Sequence, residues 1–181
     1  MNIDAVVRLG TVIPVIVIDD AARARPLAEA LVAAGHGALE VTLRTPAAYD
    51  AIAEMAKVEG AVVGAGTVLD ERQMDRAIGA GARFIVSPGL TERVGRAASE
   101  RGVAFLPGVA TAADIMRGLD MGLDRFKFFP AVASGGIPAL TALSAPFGMA
   151  RFCPTGGITA ATAPDWLALP SVVCVGGSWM T

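Results

Sequence analysis

Eight apolar runs pace this chain at near-regular intervals. They are "VIPVIVI" (12–18), "ALEVTLR" (38–44), "AVVGAGTV" (61–68), "FIVSP" (84–88), "AFLPGV" (104–109), "RFKFFP" (125–130), "RFCPTGG" (151–157) and "VVCVGG" (172–177), and their starts lie 26, 23, 23, 20, 21, 26 and 21 residues apart. Short runs rich in Val, Ile and Phe read as strands, and near-continuous apolar character marks strands covered on both faces. The stretches between them are Ala-rich with helical spacing. In 21–35, Leu27, Leu31 and Ala34 fall on one face, and 111–122 opens on Thr111 with Asp114 three residues on, a capping pair. Asp70, Thr91 and Thr159 are expected to cap three more helices. Strand–helix alternation repeated eight times implies a parallel sheet, and eight units favour closure into an α/β fold, the (β/α)8 TIM barrel. No Gly-x-Gly-x-x-Gly turn follows the first run, which argues against an open dinucleotide-binding sheet. "NIDAVVRL" (2–9) is expected to form a short N-terminal helix across the barrel's bottom.

The 181 residues suit one catalytic domain spanning 1–181. They end on "GGSWMT", directly after the eighth run, so the eighth helix of the pattern is missing from this sequence. The complete protein is expected to carry a further amphipathic helix. Apolar residues make up 54% of the chain and mean hydropathy is +0.56. Yet no stretch approaches the roughly 18–20 continuous apolar residues of a membrane span. "VIPVIVI" has the look of a secretory-signal core, but Asp4 and a single Arg8 precede it and Asp19-Asp20 close it without a small-residue cleavage site, so a cytoplasmic protein is expected. A net charge of −2 argues against a nucleic-acid surface, and no polybasic patch suggests a membrane. Cys153 and Cys174 each sit in an apolar run and read as buried, reduced thiols. One histidine and no Cys/His cluster lead to the expectation of no metal.

Lys127 is the anomaly. The chain has two lysines, and the other, Lys57, lies in the polar setting "AKVEG", whereas Lys127 interrupts the apolar run "RFKFFP". Alternation puts Lys127 and Phe129 on one face of the sixth strand, and Glu40, Thr42 and Arg44 on one face of the second. Strands two and six stand opposite each other in a ring of eight, so if those faces are inner, an amine and a carboxylate meet across the axis. Burial disfavours an ammonium and favours the neutral amine that attacks ketones. Glu40 would then move protons. The competing reading is an ion pair that only holds the core together.

The strand ends are not generic. "PTGG" (154–157) and "GGS" (176–178) follow strands seven and eight, where such barrels often bind phosphate through backbone N–H groups, although glycines also serve simply to turn tight corners. Ser178 offers a hydroxyl. Arg44 is a candidate fork for a carboxylate, or a surface ion pair.

Taken in order from about residue 10, "PVIVI", "ALEVTLRT", "VVGAGTVL", "FIVSPGLT", "FLPGVAT", "FKFFPA", "RFCPTGGI" and "CVGGSW" resemble the bacterial 2-keto-3-deoxy-6-phosphogluconate (KDPG) aldolase family, whose members also act on 4-hydroxy-2-oxoglutarate (KHG). The resemblance implies a class I aldolase of the Entner–Doudoroff pathway, working without metal or organic cofactor and assembling as a homotrimer. It implies Lys127 as the Schiff-base lysine and Glu40 as the general acid/base. Arg44 and Thr67 match positions holding the carboxylate end of the substrate, with Pro88, Phe129 and Thr155 lining the pocket. Gly156, Gly157, Gly177 and Ser178 match the phosphate loops. The departure from the family is the absent C-terminal helix. A phosphosugar epimerase or isomerase on the same barrel, and a non-catalytic phosphometabolite-binding barrel, are the alternative readings.

Overall fold

The eight runs are eight parallel strands in the computed structural model, which describes residues 1–181. They are β1 (Val12–Ile16), β2 (Ala38–Thr42), β3 (Val62–Gly66), β4 (Phe84–Ser87), β5 (Ala104–Val109), β6 (Arg125–Phe128), β7 (Arg151–Pro154) and β8 (Val175–Gly177). Helix α1 (Ile3–Val7) precedes β1, and α2 (Ala24–Ala33), α3 (Ala48–Met55), α4 (Glu71–Gly79), α5 (Glu92–Glu100), α6 (Ala112–Asp120), α7 (Gly136–Ser144) and α8 (Ala163–Leu167) connect successive strands. No helix follows β8 within the 181 residues. The strands pair in sequence order from β1 to β7, β8 pairs with β1, and two isolated bridges, Phe152↔Val172 and Thr155↔Gly176, join β7 to the β8 segment. The ring is therefore a (β/α)8 barrel with one lightly stitched seam.

Local chemistry starts the helices. Asp70 accepts from Gln73 N–H, Thr91 accepts from Val94 N–H, and Thr111 with Asp114 forms a reciprocal capping box. Each such cap stabilises by about 1 kcal/mol. Thr159 departs from expectation. Its hydroxyl accepts from Thr162 N–H while the Thr162 hydroxyl accepts from Thr159 N–H, so it ties a preceding turn. Helix α8 begins only at Ala163, where Pro164 fits the first turn. The buried face of α2 also differs: Ala24, Ala28 and Leu31 are buried, Leu27 is half-buried and Ala34 is exposed. A 3-10 turn at Ala21–Arg23, capped by Asp20, sets the helix phase, and Ala34 lies at its C-cap.

Alternation sorts the strand side chains into two layers. Leu39 and Val41 of β2 point to the helices, as do Phe126 and Phe128 of β6, which pack on Phe152 and Trp166 respectively. The inward residues Ile13, Ala38, Phe84, Val86, Leu106, Cys153 and Cys174 fill the lower barrel, and Val6 and Val7 of α1 plug it from below. The fold latches that plug with charge. Asp4 accepts from Arg125 at the foot of β6, with Nε at 2.9 Å and Nη2 at 2.8 Å, and from Arg8 Nε at 2.8 Å. The Arg8 and Arg125 bonds hold the Asp4 carboxyl below its ordinary range.

Candidate active site

Lys127 and Glu40 meet inside the barrel. Lys127 Nζ lies 3.0 Å from Glu40 Oε1 and 3.5 Å from Oε2, with the two residues only 5% and 3% exposed. Strand geometry explains the encounter, because β2 and β6 stand four apart in the ring and both side chains point inward. A methyl group placed on Gly66 would fall 2.7 Å from Glu40 Cγ and 2.8 Å from Cδ. The Glu40 backbone is registered with Gly64, so its side chain leans along β2 past the next inward position of β3, towards the C-terminal mouth. Lys127 Nζ also lies 5.1 Å from the centre of the Phe129 ring, a cation–π contact.

Thr155 follows the strand that pairs with β6. It is buried at the end of β7, whose Cys153 is registered with Lys127, and its hydroxyl donates to the Cys153 carbonyl at 3.3 Å. Thr67 stands just past β3 with φ 60°, the only non-glycine residue of the chain at positive φ. A β-branched residue held there costs on the order of 1–3 kcal/mol, and strain of this kind clusters at active sites and ligand clamps. Residue type does not encode that strain, so only the coordinates reveal it. Pro88 lies half-buried on the rim after β4, its carbonyl against Gly108 of β5, one strand removed from Lys127.

Arg44 does not continue the Glu40 face as a strand residue. Strand β2 ends at Thr42, residues 43–44 turn, and Arg44 stands exposed outside every ion pair of the chain. Thr42 does share the face, but its hydroxyl donates to Ile16 O at 3.0 Å and ties β2 to β1. The bridge Thr155↔Gly176 sets the two glycine loops side by side. Gly156 and Gly157 have φ 104° and 79°, which L side chains rarely adopt. Neither they nor Ser178 give their N–H to a carbonyl in the chain, which leaves three donors beside the mouth. The Trp179 ring lies against Gly177. No three His, Cys, Asp or Glu side chains converge anywhere in the chain. No helix is long and apolar enough to cross a membrane. A cavity of about 720 Å³ lies between α5, α6 and the start of α1, and none of these site residues lines it.

A buried amine against a carboxylate is an arrangement that can form an imine with a ketone and move the protons this involves. Residues 3–181 match the family model for KDPG and KHG aldolases. The chain belongs to the KDPG and KHG aldolase family. Among its relatives in that family, the 2-dehydro-3-deoxy-phosphogluconate aldolase of Zymomonas mobilis is 59% identical over 179 residues, covering 99% of this chain and 86% of that one. The KHG/KDPG aldolase of Escherichia coli K12 is 52% identical over 178 residues, covering 98% and 84%. The crystal structure of a Zymomonas mobilis KDPG aldolase with 3-phosphoglycerate superposes with a TM-score of 0.96 at 60% identity, covering 98% of this chain and 85% of that one. The KDPG aldolase of Legionella pneumophila, with pyruvate captured as a covalent carbinolamine, superposes at 0.95 with 47% identity, covering 99% and 87%.

Proposed function

We propose that this chain is a Schiff-base aldolase that cleaves KDPG to pyruvate and glyceraldehyde 3-phosphate, and also KHG to pyruvate and glyoxylate. The observation that carries the reading is the buried Lys127–Glu40 pair at 3.0 Å on the inner face of the barrel. The names of the relatives support the substrates, and the covalent pyruvate in the Legionella enzyme supports the chemistry.

Glu40 takes a proton from Lys127, and the neutral Nζ attacks the C2 ketone. Glu40 gives that proton to the hydroxyl of the resulting carbinolamine, which leaves as water and gives an iminium, with Glu40 ionised again. Glu40 then removes the C4 hydroxyl proton, directly or through one water. The C3–C4 bond breaks, its electron pair enters the iminium to form an enamine, and the aldehyde leaves. Glu40 returns a proton to C3, and water hydrolyses the new iminium to release pyruvate. The iminium is the electron sink, so the reading assigns no cofactor. Arg44, Thr67 and Thr155 hold the carboxylate end, with Pro88 and Phe129 lining the pocket. Gly156, Gly157, Gly177 and Ser178 hold the distal phosphate, whose binding positions the reacting bond. The same reading makes the protein a cytoplasmic homotrimer of the Entner–Doudoroff pathway.

The test is pyruvate release from KDPG, from its C4 epimer and from KHG. The expected result is turnover of KDPG with the highest kcat/KM, and loss of turnover by at least about 10³-fold in Lys127→Ala. Absence of pyruvate from all three substrates, or full activity in that variant, contradicts the assignment.

A further inference from the structure

We propose that Gly66 is a positioning residue for Glu40: its missing side chain reserves the space that the carboxylate occupies against Lys127. A methyl group at this position would lie inside contact distance of Glu40 Oε1, as well as 2.7 Å from Cγ and 2.8 Å from Cδ. The backbone does not explain the glycine. Gly66 is absent from the positive-φ residues, so an alanine there meets no conformational penalty of the kind Gly156 or Gly157 would impose. The sheet does not explain it either, because the Thr42↔Gly66 pairing and the Leu43 N–H bond to Gly66 O use main-chain atoms only. What remains is Glu40. Its side chain leans from the level of Gly64 past Gly66, and the three atoms nearest the hypothetical methyl all belong to it.

A carboxylate displaced by about 1 Å loses the alignment that proton transfer needs, a loss on the order of 100-fold. The amine of Lys127 is not among the three atoms nearest that methyl, and it reaches the carboxylate from β6, three strands away from β3. Gly66→Ala is therefore expected to separate the two halves of the chemistry: the extent of imine formed with pyruvate at equilibrium is kept, while proton transfer at C3 is slowed. This inference rests on the aldolase reading, and the experiment distinguishes failure of one from failure of the other.

Four forms of the full chain are compared: the unaltered protein, Gly66→Ala, Glu40→Asp and the double variant. Imine formation is read by borohydride trapping of pyruvate and intact mass. Proton transfer is read by exchange of the pyruvate methyl protons for deuterium. The expected result for Gly66→Ala is trapping within about threefold of the unaltered protein and exchange slowed about 100-fold. Shortening the acid by one methylene relieves the crowding, so the double variant is expected to exchange no more slowly than Gly66→Ala alone, although Glu40→Asp by itself is slow. Unchanged exchange in Gly66→Ala, loss of trapping along with exchange, or losses that multiply in the double variant overturn the inference. If Gly66→Ala does not fold, a folded, trapping-competent double variant supports it and an unfolded one overturns it. No trapping by the unaltered protein contradicts the aldolase reading itself and takes this inference with it.

Discussion

Lys127 commits its ammonium to one carboxylate and one aromatic face, inside a wall of apolar and small residues. Removing one partner of such a buried pair costs about 3–5 kcal/mol, whereas replacing both with neutral groups of similar shape is often neutral or stabilising. The double variant Lys127→Met, Glu40→Gln is therefore expected to melt at or above the temperature of the unaltered protein while losing all cleavage. A large fall in melting temperature would return the pair to a purely structural role. Glu40→Gln alone is expected to lower kcat by about 10²–10⁴-fold in a steady-state assay. This pair was legible in the sequence from the period of two within a strand and the opposition of strands two and six, on the condition, met in the structure, that the Glu40 and Lys127 faces are the inner ones. Arg44 was less legible, since the same period holds only while the strand lasts and β2 stops at Thr42. The strain at Thr67 and the crowding behind Glu40 were not legible at all. Both depend on dihedral angles and cross-strand register that residue types do not fix.

At the scale of elements, strands buried on both faces advertise themselves as unbroken apolar runs, and all eight were placed within a few residues. Helix starts at Asp70, Thr91 and Thr111 were equally plain, while Thr159 misled because Pro164 sets where α8 begins. Helix α1 was legible as a plug, but its latch was not, because Asp4 and Arg125 are 121 residues apart. The depressed Asp4 carboxyl contributes stability that is present above its ordinary value of 3.8 and is lost as pH falls through the lower folded value. Asp4→Asn is expected to lower the melting temperature near neutrality and to flatten its fall below pH 4, as thermal melts across acid pH would show. An unchanged acid limb would mean the latch is idle. The sign reverses at Cys174, whose thiol the hydrogen bond with Cys153, and then burial, push well above 9.0. Above that pH the unfolded chain sheds a proton the fold retains, so stability falls with rising pH by up to about 1.4 kcal/mol per unit. Cys174→Ala is expected to flatten that alkaline fall in denaturant titrations. Identical slopes would contradict it.

For the molecule as a whole, the eight-unit beat implied a ring, but closure is a property of curvature that no single run carries. The ring is uneven. Strands β2 and β3 pair without a break from Ala38↔Val62 to Thr42↔Gly66, whereas β7 and the β8 segment share two isolated bridges and the bonds Phe152 N–H to Ser171 O and Val173 N–H to Phe152 O. Local opening follows the sparsest hydrogen bonding. Hydrogen exchange resolved by residue is expected to show the Phe152 and Val173 amides exchanging well before those of Val41 and Ala65. Equal protection would mean the seam is as firm as the rest of the wall.

Because the chain holds only Lys57 and Lys127, the site of imine formation can be read without ambiguity. Borohydride reduction in the presence of pyruvate, followed by proteolysis and peptide mass mapping, is the direct measurement. The account predicts one reduced pyruvyl adduct per chain, on the peptide containing Lys127. An adduct on Lys57, or no adduct on either lysine, would contradict it.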